Sequence, residues 1–251
     1  MLIDVHCHLN LYLAVDQVIK DALKTGVEKI ISVAMSVKSQ ERILELSREF
    51  ENVYPALGIH PEEVQMNKNI LKEMEKVLEL IKKNSNEVCC IGEIGLDHYF
   101  IKDKSTYSIQ KIIFEKMLSL AEELKLPVNI HTKGAENIIF ETLPSFKIPN
   151  INVHWYSGPE KYLKLGIERG YYFSITPAID YSPAVKKTVM EVDIDYLLLE
   201  SDGPVRFAGK IGTPSMIKNV INKIAEYKNL PLDILEKQIQ ENTFKVFPKI
   251  V

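Results

Sequence analysis

The chain has 251 residues, of which 46% are hydrophobic and 26% charged, with a formal net charge of −3. That balance supplies core enough for one large domain and excludes a chain-wide basic field, so nucleic-acid binding would need a local patch or bound cations. Cys7, Cys89 and Cys90 are too few and too irregularly spaced for a disulfide framework. The opening Met1-Leu2-Ile3-Asp4 lacks a basic, then apolar leader, and no run reaches membrane-spanning length; the expectation is a soluble cytoplasmic protein with no membrane partner.

In chain order, Leu2 to His8 reads as a strand ending in His6-Cys7-His8. Residues two apart on a strand share a face, so His6 and His8 present two imidazoles side by side while Cys7 points away from them. A helix from about Val15 follows, closed by Gly26, then a strand over 28–33 and a helix over 38–50. A strand at Val53-Tyr54-Pro55-Ala56-Leu57 leads to Gly58-Ile59-His60-Pro61 and a helix over 69–83. Val88-Cys89-Cys90-Ile91 reads as the fourth strand, running into Gly92-Glu93-Ile94-Gly95-Leu96-Asp97. The next helix, over 105–124, carries an apolar stripe that includes Ile109, Ile112, Ile113, Met117 and Leu120. Strands over 127–131, 151–154, 171–174 and 196–199 alternate with helices over 135–143, 159–168, 183–190, 214–227 and 232–247.

Eight such β/α units predict an α/β protein, a (β/α)8 TIM barrel forming a single domain over 1–251. The rival, an open doubly wound sheet, concentrates its ligand contacts at one switch point. Here polar residues recur at the ends of strands one, three, four, five, six and eight, and only a closed barrel gathers so many strand ends around one centre. The active site is therefore expected at the carboxyl ends of the strands. His6, His8, Glu93, His131, His154 and Asp202 converge there on this reading. Four imidazoles and two carboxylates exceed the needs of one four-coordinate ion. They suit two divalent ions sharing Glu93 as a bridge, and the donor set accepts Zn, Mn, Mg, Co or Fe.

The segments Asp4-Val5-His6-Cys7-His8, Gly58-Ile59-His60-Pro61, Ile91-Gly92-Glu93-Ile94-Gly95-Leu96-Asp97, Pro127-Val128-Asn129-Ile130-His131, His154-Trp155-Tyr156-Ser157-Gly158, Glu200-Ser201-Asp202-Gly203-Pro204 and Asn242-Thr243, in this order, resemble the TatD-type metal-dependent hydrolases, a branch of the amidohydrolase-like barrels. The resemblance covers almost the whole chain. It implies one metal set of His6, His8, Glu93 and Asp202 and a second of Glu93, His131 and His154, with Asp202 and Glu93 as catalytic groups. Asp202 would serve as general base or proton shuttle. It also implies ester-bond hydrolysis, with DNA or a small phosphodiester as substrate and a nuclease of the deoxyribonuclease (DNase) type, cutting from an end, as the expected activity. Trp155-Tyr156 replaces the family's usual Cys-Phe, Ser201 and Gly203 replace the usual Thr and Ala, and an Asn-Glu-Pro run is absent near Gly212-Thr213-Pro214. The last departure bears on substrate preference, not on the metal ligands.

Beyond the ligands, His60, Lys133 and Arg206 are the candidate substrate contacts, the two cations as phosphate binders. Glu200 reads either as a partner to a ligand histidine or as an interior structural carboxylate. Tyr99, Phe100, Trp155 and Tyr156 read either as base-stacking rim residues or as packing under loops. His98 reads as a loop residue. Two rival functions stand beside the phosphodiesterase: an amidohydrolase cleaving the C–N bond of a cyclic amide or amino-purine, and a non-catalytic metal-containing binding module. No protein partner is evident, and a monomer is expected.

Overall fold

A computed structural model describes residues 1–251. Eight parallel strands follow one another around a single sheet in sequence order. They are β1 (Leu2–Cys7), β2 (Val27–Val33), β3 (Val53–Leu57), β4 (Cys90–Asp97), β5 (Val128–Lys133), β6 (Ile151–His154), β7 (Tyr172–Ile175) and β8 (Leu197–Leu199). Between and after them come α1 (Val15–Lys24), α2 (Ser39–Glu49), α3 (Glu63–Met66), α4 (Ile70–Lys83), α5 (Tyr107–Leu124), α6 (Glu136–Thr142), α7 (Glu160–Glu168), α8 (Pro183–Glu191), α9 (Ile217–Lys228) and α10 (Leu232–Val246). This is the expected TIM barrel. No helix is long and apolar enough to cross a membrane.

The seam between β1 and β8 is drawn together just beyond the strands. The Asp202 N–H donates to the His6 carbonyl at 2.9 Å and the His8 N–H to the Gly203 carbonyl at 2.8 Å. The same two bonds bring three candidate site residues into one place, so barrel closure and site assembly are a single event.

One apolar cluster joins Ile3, Val5, Ile31, Ala56, Cys90, Tyr172 and Leu198. Strands that stand opposite one another can meet only through the barrel's middle, so this cluster fills its interior. Val246, Phe247 and Ile250, at and beyond the end of α10, join it and plug the amino-terminal end. The larger cluster, which includes Cys7, lies against the helices, and Cys7 points away from the imidazoles as alternation requires.

Four departures from the sequence-based expectation matter. The register of β1 on β2 shifts between Asp4 and Cys7, so the alternation of Ile3 and Val5 does not carry through to His6, although His6, Cys7 and His8 alternate among themselves. Asp4 turns to accept from the Ser201 N–H at 2.9 Å and the His6 N–H at 3.2 Å. The fourth strand does not stop at Ile91 but runs to Asp97, so Glu93 lies inside it, next to a register shift between Ile91 and Ile94. Gly95 marks close approach, not strand termination: at φ 153° a Cβ would lie 2.0 Å from the His131 carbonyl oxygen. A two-strand hairpin, β9 (Arg206–Phe207) and β10 (Lys210–Ile211), follows β8 unannounced. On α5, Ile112 is 44% exposed and falls outside the buried stripe.

Candidate metal centre

The backbone sets the ligand positions. β1 supplies His6 and, one residue past its end, His8; β4 supplies Glu93, β5 His131 and β6 His154, and Asp202 lies three residues beyond β8. All six are buried. Asp202 sits at φ 48° and Trp155, directly after His154, at φ 37°, a left-handed conformation that costs L residues free energy and recurs at functional sites.

Each imidazole has one nitrogen fixed from behind. His6 Nδ1 donates to Asn129 Oδ1 at 3.1 Å, and His8 Nδ1 to the Val33 carbonyl at 2.9 Å. His154 Nδ1 donates to Glu200 Oε1 and His131 Nε2 to Asp97 Oδ2, both at 2.9 Å. Carbonyls and carboxylates only accept, so these nitrogens carry the protons and the neutral rings turn their lone pairs inward. Partners of this kind orient metal-ligating histidines. Glu200 thereby takes the ligand-partner role. Asp97 and Asn129 were not identified as partners from the sequence: with the fourth strand ended at Ile91, nothing placed Asp97 behind His131. The signal available was the carboxylate placed two residues past Gly95.

The inward atoms form two groups that meet at Glu93. Around its Oε2, His6 Nε2 lies at 3.4 Å and His8 Nε2 at 3.6 Å. The two imidazole nitrogens are 3.3 Å apart, and Asp202 Oδ1 is 3.6 Å from His6 and 3.4 Å from His8. Ligand atoms ~2.1 Å from an ion at tetrahedral angles stand ~3.4 Å from one another, so these residues fit a divalent cation. Around Glu93 Oε1, His131 Nδ1 lies at 2.9 Å and His154 Nε2 at 3.6 Å, and Asp202 Oδ2 is 3.9 Å from His154 Nε2. Lone pairs facing carboxylate oxygens at such range repel unless a cation lies between them.

The protonation tendencies point the same way. Burial opposes a charge on His6, yet the carboxylates of Glu93, Asp202 and Glu200 outweigh it and push the imidazole up to about 10. Burial likewise opposes ionisation of Glu93, but the surrounding His60, His6 and His131 hold its carboxyl well below the usual range. Glu93 therefore stays ionised beside imidazoles, while burial and the neighbouring His6 push His154 well below its usual range and keep that ring neutral, the form that ligates a cation.

His60 behaves differently from the other four rings. The Glu62 N–H donates to its Nδ1 at 3.2 Å, so the neutral ring carries its proton on Nε2. That N–H faces His131 Nδ1 at 3.2 Å and Glu93 Oε1 at 3.7 Å. Burial keeps the ring neutral, its pKa lowered to about 3. In this tautomer His60 is a donor; in the other its Nε2 lone pair joins Glu93 and His131, whose donor atoms lie close enough together to hold an ion.

A cavity of about 460 Å³ opens over this centre, lined in part by His60, Phe100, Lys133 and Trp155. Lys133 Nζ donates to the Trp155 carbonyl at 2.9 Å and to Ser157 Oγ at 2.8 Å, leaving one N–H free. Arg206 does not reach the cavity. It is exposed on the hairpin and donates to the Gly209 carbonyl at 2.9 Å. The rim aromatics divide: Tyr99 and Phe100 are exposed, whereas Tyr156 is buried, packs on Phe140 and Phe173 and donates to the Pro159 carbonyl at 2.6 Å. His98 stacks on Tyr107 at 3.5 Å, away from the centre.

Comparison with known proteins agrees with this geometry. The family model described as TatD related DNase matches residues 3–248. An uncharacterized metal-dependent hydrolase of Methanocaldococcus jannaschii is 36% identical over 98% of this chain and 97% of its own. The human deoxyribonuclease TATDN3 is 27% identical over 99% of this chain and 95% of its own. The crystal structure of YjjV, a TatD homolog from Escherichia coli, superposes with a TM-score of 0.90 at 25% identity, covering 98% of both chains. The chain belongs to the TatD-related DNase family of metal-dependent hydrolases.

Proposed function

We propose that this protein is a two-metal phosphodiesterase that hydrolyses DNA, removing nucleotides from an end and acting as one 1–251 domain. The observation that carries the reading is the division of Glu93: Oε2 faces His6 and His8 while Oε1 faces His131 and His154. A carboxylate with each oxygen aimed at a separate imidazole pair suits a bridge between two ions. On this reading His6, His8, Glu93 and Asp202 hold one ion, and Glu93, His131 and His154 hold the other. When bound, such ions supply Lewis acidity towards phosphate and a water of lowered pKa.

The chain's own residues complete the chemistry. Asp202 turns Oδ1 to the first imidazole pair and Oδ2 towards His154, which places it to accept a proton from the attacking water. His60 and Lys133 line the same cavity, and the free N–H of Lys133 donates to a non-bridging phosphate oxygen as negative charge builds there. The name of the human relative supports DNA as the substrate class.

Protein supplied with Mg²⁺, Mn²⁺, Co²⁺ or Zn²⁺ should hydrolyse a chromogenic phosphodiester and progressively shorten end-labelled single-stranded oligonucleotides. Asp202→Asn should abolish both. Turnover of a cyclic amide with no cleavage of any phosphodiester overturns the reading.

A further inference from the structure

A second cavity, of about 380 Å³, adjoins the first. The two share Phe100, Lys133 and Trp155 as a common wall. Its other sides include Tyr99, Tyr181 and Glu136. Tyr99, Phe100 and Tyr181 are 59%, 69% and 50% exposed, a concentration of uncovered aromatic surface that solvent-facing loops seldom carry without a ligand. Trp155 is held in place from three directions. Its backbone N–H donates to Glu200 Oε1 at 2.8 Å, its ring packs on Phe207 of the hairpin at 5.4 Å, and the Lys133 ammonium lies 5.0 Å above that ring.

Glu136 is the one acid among these walls, and it is buried. Its Oε1 accepts from the Gly134 N–H at 3.1 Å, and Oε2 has no donor from the protein. Gly158 makes room for it: a Cβ there would stand 2.6 Å from Glu136 Oε1. A carboxylate kept beside aromatic faces, with one oxygen uncommitted, is an acceptor awaiting an N–H.

We propose that this side cavity is a nucleobase subsite adjoining the phosphate position, in which the aromatic faces stack the base and Glu136 selects bases that carry an exocyclic amine. The proposal rests on the phosphodiesterase reading for what occupies the first cavity. Cytosine, adenine and guanine each present an amino group to a carboxylate. Thymine offers only N3–H between two carbonyls, which the carboxylate repels. Lys133, shared by both cavities, links the base to its phosphate.

Trp155 is the sole tryptophan of the chain, so its fluorescence reports on the shared wall directly. Titration of the full-length protein in Mg²⁺ with dCMP should quench it saturably, and dTMP should bind at least about fivefold more weakly. Glu136→Gln should erase that preference, because an amide can offer a donor or an acceptor. Tyr181→Ala should weaken both nucleotides ~5- to 150-fold, the range for one stacked base. On oligonucleotides, Tyr181→Ala should slow cleavage beside any normal base, Glu136→Gln should make cleavage beside cytosine and thymine equally fast, and both should leave cleavage beside an abasic residue unchanged. Equal binding of dCMP and dTMP, or variants that behave as the parent on every oligonucleotide while cleavage proceeds, overturns the subsite. Nucleotide binding with these preferences but no phosphodiester cleavage would instead remove the phosphodiesterase reading and leave the subsite standing.

Discussion

The two ends of the barrel are both filled with buried side chains, and they rest on opposite chemistry. At the amino end, Val246, Phe247 and Ile250 close on Ile3, Val5, Ile31 and Leu198 as an apolar plug. At the carboxyl end, His6, His8, Glu93, His131, His154 and Asp202 are equally inaccessible. Burying apolar carbon stabilises the fold, whereas burying carboxylates costs free energy that only hydrogen bonds and cations offset. The strained backbones of Trp155 and Asp202 lie at this same end. Stability and chemistry are therefore drawn from different ends of one scaffold, and substitutions should separate them.

The largest separation is expected from Asp202→Asn. The loss of a general base costs ~10²- to 10⁴-fold in turnover, while the near-isosteric amide keeps the melting temperature within a few degrees. Steady-state kinetics and thermal unfolding on one sample check this, and a large drop in melting temperature would break the division between the ends. The mirror experiment is Phe247→Ala, which opens a cavity in the plug. Unfolding in urea should show a loss of ~3–5 kcal/mol, with kcat at low temperature unchanged. A matching loss of kcat would mean that the plug shapes the site.

Asp97→Asn and Glu200→Gln sharpen the comparison from within the carboxyl end. Each retains bulk but weakens the hold on one ligand histidine, so metal affinity should fall ~10- to 100-fold. Calorimetric titration with Mn²⁺ reads this, and activity should return at saturating metal. Failure of activity to return would give these carboxylates a part in the reaction itself. The smallest effect is expected for Lys249→Met. Lys249 Nζ donates to the Ser85 carbonyl and, at 2.9 Å, to the Val88 carbonyl beside the plug. Denaturant titration should register ~1 kcal/mol, with no change in turnover.

Much of this was legible before the fold was known, for reasons visible in particular segments. Val53–Leu57 and Ile151–His154 are strands over the residues expected, since each is a short run flanked by turn chemistry. The candidate site residues that converge at one end of the barrel were legible because His, Glu and Asp are unusual residues with which to end apolar runs. What fell short was the length of the fourth strand, which runs past Ile91 to Asp97. Gly92 and Gly95 let β4 pass close to β5 there. With the strand cut short, Asp97 lost its place behind His131. The hairpin escaped notice as well, because two-residue strands carry no period to detect.

From the sequence alone came the order of strands and helices, the number of imidazoles and carboxylates, and the family to which their motifs belong. These follow from local rules: side-chain periodicity, turn residues and the chemistry of each residue type. The tertiary structure alone decided that Glu93 splits its oxygens between two groups, that His60 lies against His131, that Arg206 lies outside the cavity lining, and that Trp155 and Lys133 stand between two cavities. Each of those depends on which atoms face one another across strands 30 to 200 residues apart, as with the 38 residues between Glu93 and His131 and the 197 between Asp4 and Ser201. Distance in space is set by packing, and no local rule contains it.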